Sequence, residues 1–190
     1  MKTAVITRKT GIRLSLVALF AALTAAGTFI SIPLPFSPVP IVLQNMFALL
    51  AGLLLGPWLG CAAVGFYLVA GLIGAPIFAG ASGGIAHILT PSGGYLFGYF
   101  LAAVTAGLIA GMPRADRKTA LWRLICAATA GLLIVYVPGV ARLKFVLDAS
   151  WGRAVAAGFV PFVIGDAIKG AVAVIIAARL RPLVADNLER

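Results

Sequence analysis

Two charged side chains lie within a strongly apolar segment near the end of the sequence. The segment from Pro161 to Gly170 contains Asp166 and Lys169, three residues apart. Each charge costs about 2.5–3.5 kcal/mol at the centre of a membrane helix, so some interaction must offset it. The i, i+3 spacing places both on one helical face, roughly 4.5 Å apart along the axis. The pair either neutralises itself or forms a polar clamp that faces a cavity, and the flanking glycines favour the clamp.

Further polar side chains stand out in otherwise apolar surroundings. Gln44 and Asn45 follow a run of prolines, and His87, the single histidine, lies in a glycine-rich segment. His87 could hydrogen-bond to a ligand or cap a turn, and no metal-ligating partner accompanies it, so we expect no metal site. Tyr95 and Tyr99 follow the glycine-rich segment, where an interfacial aromatic belt explains them as well as ligand contact does.

These residues belong to a chain with the composition of a membrane protein. Of its 190 residues, 62% are hydrophobic and 11% are charged, and the mean hydropathy is +1.10. The 100 residues between Arg13 and Arg114 contain no Asp, Glu, Lys or Arg. The net charge of +10 comes from short basic clusters rather than a basic helix or patch, which argues against nucleic acid binding. Cys61 and Cys126 lie far apart in apolar segments, so they predict buried thiols and no disulfide.

Apolar runs and their interruptions predict six transmembrane helices in a single membrane domain, residues 1–190, with the lipid bilayer as solvent. The run from Ile41 to Ile73 would make one helix about 50 Å long, so we expect it to break at Gly56-Pro57. A glycine-rich loop from Gly74 to Gly94 separates the third and fourth helices. The predicted spans are 14–30, 41–55, 58–72, 95–111, 121–137 and 159–180. Residues 31–40 form a proline-rich connector, and Val140 to Gly158 a loop with a short interfacial helix.

The distribution of basic residues predicts that both termini are cytoplasmic. One side of the six-span arrangement carries eleven basic residues, namely Lys2, Arg8, Lys9, Arg13, Arg114, Arg117, Lys118, Arg123, Arg179, Arg181 and Arg190. The other side carries three, Arg142, Lys144 and Arg153. The basic N-terminus followed by Leu14 to Ala26 could also be a signal peptide, but the apolar run continues to Ile30, and we interpret it as the first span.

Small residues form two stripes on which another helix could pack closely. Ala18, Ala22 and Ala26 make one on the first span. A similar stripe on the fourth span contains Ala102, Ala103, Ala106, Gly107, Ala110 and Gly111. Spacing alone does not decide which stripe faces a partner.

The sequence lacks the motifs of P-loop ATPases and zinc metalloproteases. It contains no GxxxxGK[ST] or HExxH motif and only five acidic residues. We therefore expect no enzyme and no cofactor, and any transport driven by ATP must use partner subunits.

Six short motifs occur in a characteristic order along the chain. They are Ile32–Pro35, Val39–Gln44, Ala51–Pro57, Gly74–Gly80, Pro91–Leu96 and Pro161–Lys169. Together they resemble the BioY family, the biotin-binding S components of energy-coupling factor (ECF) transporters. The resemblance extends from about Leu14 to Arg179 and is weakest from Val140 to Gly158.

This resemblance implies a six-helix protein of the bacterial cytoplasmic (inner) membrane that captures biotin near the outer face. Asp166 and Lys169 match the family's polar pair on the last helix. Asp166 could accept hydrogen bonds from the ureido N–H groups, while Lys169 could contact the ureido carbonyl or the valerate carboxylate. The implied ligand-binding residues are Asp166, Lys169, Gln44, Gly83, Gly84, His87 and Tyr95. The implied partners are an ECF transmembrane coupling protein, docked on Ala18, Ala22 and Ala26, and two ABC-type ATPases.

Other functions remain as alternatives. The nearest is an S component for another vitamin. A second is a non-transporting membrane scaffold, in which Asp166 and Lys169 only pair with each other. An intramembrane enzyme is the third, and the missing nucleophile and metal constellations argue against it.

Overall fold

The computed structural model describes residues 2–35 and 37–189. Helices and one β-hairpin follow one another as α1 (Lys2–Ala26), β1 (Ser31–Leu34), β2 (Ser37–Val42), α2 (Gln44–Leu72), α3 (Gly93–Ala110), α4 (Leu121–Leu147), α5 (Trp151–Gly158) and α6 (Val163–Glu189). Short 3₁₀ turns occur at Ile85–Leu89 and Val160–Phe162.

Five helical segments of the described chain are long and apolar enough to cross a membrane. They are Lys9–Ala26, Gln44–Leu72, Gly93–Ala110, Leu121–Leu147 and Trp151–Leu188. Their apolar surfaces suit lipid as solvent, and their backbone polar groups are satisfied within the helices. The predicted helical membrane architecture is confirmed at this level.

Helix α2 folds back on itself at Gly56. This glycine has φ 78° and ψ −176°, outside the helical region, and Pro57 follows it. A Cβ on Gly60 would lie 2.7 Å from the carbonyl oxygen of Ala51, whereas residues nine apart in a straight helix lie about 13.5 Å apart. Helix α2 therefore consists of two antiparallel arms, 44–55 and 57–72, and the predicted break at Gly56-Pro57 is confirmed.

The connector after α1 forms a β-hairpin, which the all-α prediction missed. Helix α1 ends at Ala26, four residues before the predicted end at Ile30, and strands β1 and β2 pair in antiparallel register with Ser31 opposite Val42. Ile41 and Val42 belong to β2, so the first arm of α2 begins at Gln44 and not at Ile41. The strands can contain prolines because both strands of a two-stranded sheet are edge strands. The position of the missing proline N–H can face away from the partner strand.

The prediction that the fifth span ends at Pro138-Gly139 is wrong. Helix α4 continues through Pro138 to Leu147. A Cβ on Gly94 would lie 2.3 Å from the carbonyl oxygen of Pro138, so α3 packs directly on this turn. In a membrane helix, packing of this kind allows the helix to continue although proline removes one backbone hydrogen bond. The predicted short interfacial helix is present as α5, whereas most of the predicted loop before it is helical.

Helix packing brings the start of α2, α3 and α6 to the same end of the bundle as the later half of α4. Close approach depends on small residues, because a Cβ on Gly52 would lie 2.2 Å from the Ala103 carbonyl oxygen, and one on Gly98 2.6 Å from the Val135 carbonyl oxygen. The β-hairpin and the 73–92 loop cover this end.

Candidate functional site

Asp166 and Lys169 meet at the covered end of the bundle, at the start of α6. They are 6% and 8% exposed, and the Lys169 Nζ lies 2.9 Å from the Asp166 Oδ1. The predicted placement of both charges on one face of a helix is confirmed. The ion pair forms, and it is part of a larger polar cluster.

Asn45 and Tyr136 complete this cluster from two other helices. Asn45 donates from Nδ2 to Asp166 Oδ1 at 2.8 Å and accepts from Lys169 Nζ at 3.1 Å. The Tyr136 hydroxyl donates to Asp166 Oδ2 at 2.5 Å. The candidate residues predicted from the sequence did not include these two. Asn45 could have been predicted, because it is a polar residue in an apolar run. Tyr136 could not, because no local feature of the sequence distinguishes it from other residues of α4.

The hydrogen bonds within the cluster determine which donors and acceptors remain available to a ligand. Asp166 Oδ1 accepts from both Asn45 and Lys169, and Oδ2 accepts from Tyr136. Because an ionised carboxylate has about four acceptor positions, Oδ2 can accept a further N–H. The Lys169 ammonium uses its donors on Asp166, Asn45 and the Val42 carbonyl oxygen, the last at 2.8 Å. Lys169 can therefore bind a ligand only after it releases one of these three partners. Val42 is the partner that lies in the β-hairpin rather than in a helix of the bundle.

Two small cavities lie on either side of β2. One, of about 20 Å³, is lined by cluster residues and by Tyr95 and Tyr99. The other, of about 10 Å³, is lined by Gln44, His87 and Ser92 among others. Val39, Pro40, Val42 and Tyr99 border both. Such volumes hold about one water molecule, whereas small-molecule sites occupy roughly 300–1,000 Å³. Neither of these two cavities would hold an organic ligand unless the β-hairpin moves away from the helices. A larger apolar groove between α4 and α6, of about 590 Å³, also borders Asp166 and Tyr136.

Gln44 holds the framework around the second cavity together. It is 1% exposed, and its Nε2, which has two hydrogens to donate, lies within hydrogen-bond distance of Thr28 Oγ1, of the Tyr67 hydroxyl at 2.6 Å and of the Ile77 carbonyl oxygen at 3.2 Å. These bonds join the end of α1, both arms of α2 and the 73–92 loop. The structure therefore separates Gln44 from the Asp166 cluster.

His87 is held within the 73–92 loop by two serines. Ser82 Oγ lies 2.7 Å from its Nδ1, and Ser92 Oγ lies 3.1 Å from its Nε2. Burial lowers the pKa of His87 below its ordinary value, so the imidazole is neutral at pH 7. Its ring also packs on Phe78, 5.1 Å between centroids. His87 thus organises the loop beside the second cavity.

The remaining candidate residues have different surroundings. The Tyr95 ring lines the first cavity, while its hydroxyl donates to the Gly158 carbonyl oxygen at 2.7 Å. Gly84 has φ 87° and donates from its N–H to the Gly71 carbonyl oxygen at 2.7 Å. Gly83 packs so closely on Ala75 that a Cβ would lie 2.3 Å from its carbonyl oxygen. Neither glycine is among the described residues that line the two small cavities.

The two stripes of small residues face opposite ways. Ala18, Ala22 and Ala26 of α1 are exposed on the outer surface of the bundle. The stripe of α3 is buried, with Ala102 and Ala106 both 0% exposed. The stripe on α1 is therefore the one available to another membrane protein.

Comparison with known proteins gives consistent matches along most of the chain. The BioY family model matches residues 1–186. The chain is 44% identical over 168 residues to a probable biotin transporter BioY of Pyrococcus horikoshii, covering 88% of this chain and 94% of the relative. It is 41% identical over 165 residues to the biotin transporter BioY of Thermotoga maritima, covering 87% and 93%.

A solved structure matches the fold as well. The crystal structure of the S-component for biotin from an ECF-type ABC transporter superposes with a TM-score of 0.79 at 34% sequence identity. The match covers 89% of this chain and 90% of that chain. On its sequence and on its fold, this protein belongs to the BioY family.

Proposed function

We propose that this chain is the S component that captures biotin for uptake across the cytoplasmic membrane. The observation that carries the proposal is the buried cluster of Asp166, Lys169, Asn45 and Tyr136 in a chain of the BioY family. The ureido group of biotin has two N–H donors and one carbonyl acceptor. Asp166 retains an acceptor position for one N–H, and Lys169 or Asn45 can donate to the carbonyl.

Ligand entry would begin with movement of the β-hairpin. Lys169 donates to the Val42 carbonyl oxygen of β2, so withdrawal of β2 both enlarges the cavity and frees a charged donor. Lys169 would then bind the ureido carbonyl or the valerate carboxylate. Tyr95 would contribute its ring, Gln44 and His87 would support the surrounding framework, and Gly83 and Gly84 would shape the 73–92 loop above the ligand.

The protein would work as one part of a larger membrane complex. We infer six crossings with both termini in the cytoplasm, because the two arms of α2 run antiparallel and the basic residues concentrate on one side. An ECF transmembrane coupling protein would dock on Ala18, Ala22 and Ala26. ABC-type ATPases in the complex would hydrolyse ATP, and this chain would need no cofactor of its own and would catalyse no reaction.

Equilibrium titration of the detergent-purified protein with biotin tests the assignment. We expect tight, saturable binding that other vitamins do not compete away. A well-folded protein that leaves biotin free would overturn the proposal. Binding of another vitamin would identify an S component of different specificity, and binding of none would favour the scaffold alternative.

Substitution of Ala22 by Leu is expected to impair uptake without changing biotin affinity. Ala22 is exposed on α1 and is not part of the Asp166 cluster, and a larger side chain would hold the coupling protein away. If overpacking costs about 1–3 kcal/mol at the interface, partner affinity falls by roughly 5- to 150-fold. Biotin uptake and co-purification of the coupling protein measure the effect.

Ala178→Leu is the matched control, because Ala178 is also exposed but lies on α6. Uptake by this variant should equal that of the unchanged protein. If Ala22→Leu supports normal uptake and normal co-purification, the docking surface does not include this stripe.

A further inference from the structure

A second buried cation lies at the opposite end of α6 from the ligand cluster. Arg181 is 3% exposed. Its Nη1 donates to the Leu53 carbonyl oxygen, its Nη2 to those of Gly111 at 2.8 Å and Ala110 at 3.2 Å, and its Nε to Thr119 Oγ1 at 3.0 Å. The guanidinium therefore joins α6 to the first arm of α2, to α3 and to the segment that precedes α4.

Helix ends, rather than an acidic side chain, offset this charge. Among the described residues, the single ion pair is Asp166 with Lys169. Leu53 lies in the last turn of the first arm of α2, and Ala110 is the last residue of α3. Each helix C-terminus carries roughly half a negative charge, so two such ends can balance one guanidinium. The planar set of five donors suits arginine for this position better than lysine.

The buried face of α6 between the two polar anchors is formed mainly by small residues, and its larger packed side chains are Val174 and the half-buried Ile176. Ala173 and Ala177, both 0% exposed, follow Asp166 on the buried face at helical spacing and lead to Arg181. Small residues allow close packing but interlock weakly with neighbouring helices. The rotation and axial position of α6 therefore depend strongly on its anchors.

A shift of α6 at Arg181 would also move Asp166 and Lys169, because a helix transmits a displacement along its length. Arg181 lies fifteen residues after Asp166, about 22 Å along the axis. A slip of one residue would move the helix by about 1.5 Å and rotate it by roughly 100°. Such a change is incompatible with the 2.8 Å bond from Asn45 and the 2.5 Å bond from Tyr136 to Asp166.

We propose that Arg181 is a positioning residue for the ligand site, which sets the register of α6 so that Asp166 and Lys169 meet Asn45 and Tyr136. The identity of the ligand in this inference rests on the proposed function. The register of α6 does not, because it is a property of the ligand-free protein. Arg181 makes no contact with the ligand and acts through α6.

Hydrogen exchange of the ligand-free protein tests the register directly. Arg181→Gln should speed exchange in residues 163–169, at the far end of α6, by about tenfold or more relative to the unchanged protein. Arg179→Gln is the matched control, since Arg179 is exposed two residues away on the same helix. Faster exchange confined to the residues around Arg181 would assign it a local structural role and overturn the proposal.

Biotin affinity in a double-mutant cycle gives a second, independent readout. Arg181→Gln should weaken binding about tenfold, but by less than about threefold when Tyr136→Phe has already removed one bond to Asp166. Additive losses would overturn the proposal, because distant sites that do not communicate behave additively. If the unchanged protein does not bind biotin, the proposed function fails while the exchange experiment still decides the role of Arg181.

Two milder variants apply if Arg181→Gln does not fold. Arg181→Lys keeps the charge but cannot reach all the acceptors, and Thr119→Val removes one acceptor and keeps the guanidinium. Both should speed exchange in residues 163–169, with the larger effect for Arg181→Lys. Unchanged exchange at the far end of α6 in both variants would contradict the proposal.

Discussion

Replacement of Lys169 by Met is expected to weaken biotin binding by about 30-fold or more, because a desolvated charged donor typically contributes about 2–5 kcal/mol to a complex. Lys169 is buried and donates to Asp166, Asn45 and Val42. Methionine keeps much of the side-chain volume and removes every donor. Equilibrium titration of the purified variant with biotin measures the loss.

Stability must be measured beside affinity, because the same change leaves the Asp166 carboxylate buried without its cation. Breaking a buried pair from one side costs about 3–5 kcal/mol, whereas removing both charges is often neutral. The double variant Lys169→Met with Asp166→Leu should therefore regain much of the lost thermal stability and remain unable to bind biotin. This combination separates a ligand site from an ion pair that only supports the fold.

Lys144→Met is the control, since Lys144 lies at the end of α4 over the rings of Phe145 and Trp151, and not in the cluster. Its affinity for biotin should be unchanged. A folded Lys169→Met protein with normal affinity would show that the pair serves only the fold, as the scaffold alternative requires. Asp166→Asn should lose affinity as well, because it replaces an acceptor by a donor on one oxygen position.

Substitution of Gly52 by Ala is expected to destabilise the protein by about 1–3 kcal/mol, which lowers the melting temperature by roughly 2–12 °C for a chain of this size. The added Cβ would lie 2.2 Å from the Ala103 carbonyl oxygen and 2.9 Å from the Ala103 Cα. These are backbone atoms, so α2 and α3 would have to move apart. Thermal unfolding of the detergent-purified protein measures the change.

Gly65→Ala, in the second arm of α2, should have the opposite sign. The nearest atom to its added Cβ is Phe100 Cε2 at 3.6 Å, an ordinary contact. Alanine in a helix interior gains about 0.5–1 kcal/mol over glycine, so the melting temperature should stay constant or rise. Equal effects of the two substitutions would mean that the close approach of α2 to α3 does not limit stability.

Local features of the chain were sufficient to predict its class and several of its details. A hundred residues without a formal charge require a membrane, since no other solvent suits such a surface. Gly56-Pro57 ended a helix that was too long to fit the bilayer, and the antiparallel arms of α2 follow from it. Asp166 and Lys169 were conspicuous because charge within an apolar span demands a partner, and their spacing on α6 made them neighbours.

Other features were decided by contacts between distant parts of the sequence. Asn45 reaches Asp166 across 121 residues, and Tyr136 reaches it from a third helix, so no local pattern could assign either to the cluster. Gln44 stands beside Asn45 in sequence but points to Thr28 and Tyr67, because successive helical residues face different directions. Pro138 remained inside α4 because α3 packs on that turn.

The two alanine stripes and the two buried cations show the same division. Spacing reveals that a stripe can pack closely, but only the arrangement of helices determines that the α1 stripe faces outward and the α3 stripe inward. In the sequence, Arg181 was one of the basic residues that predict membrane orientation. The fold also places it between the C-terminal ends of two helices. Hydropathy and helical period act along the chain and can be predicted from it, whereas the partners of a buried polar group depend on which helices meet.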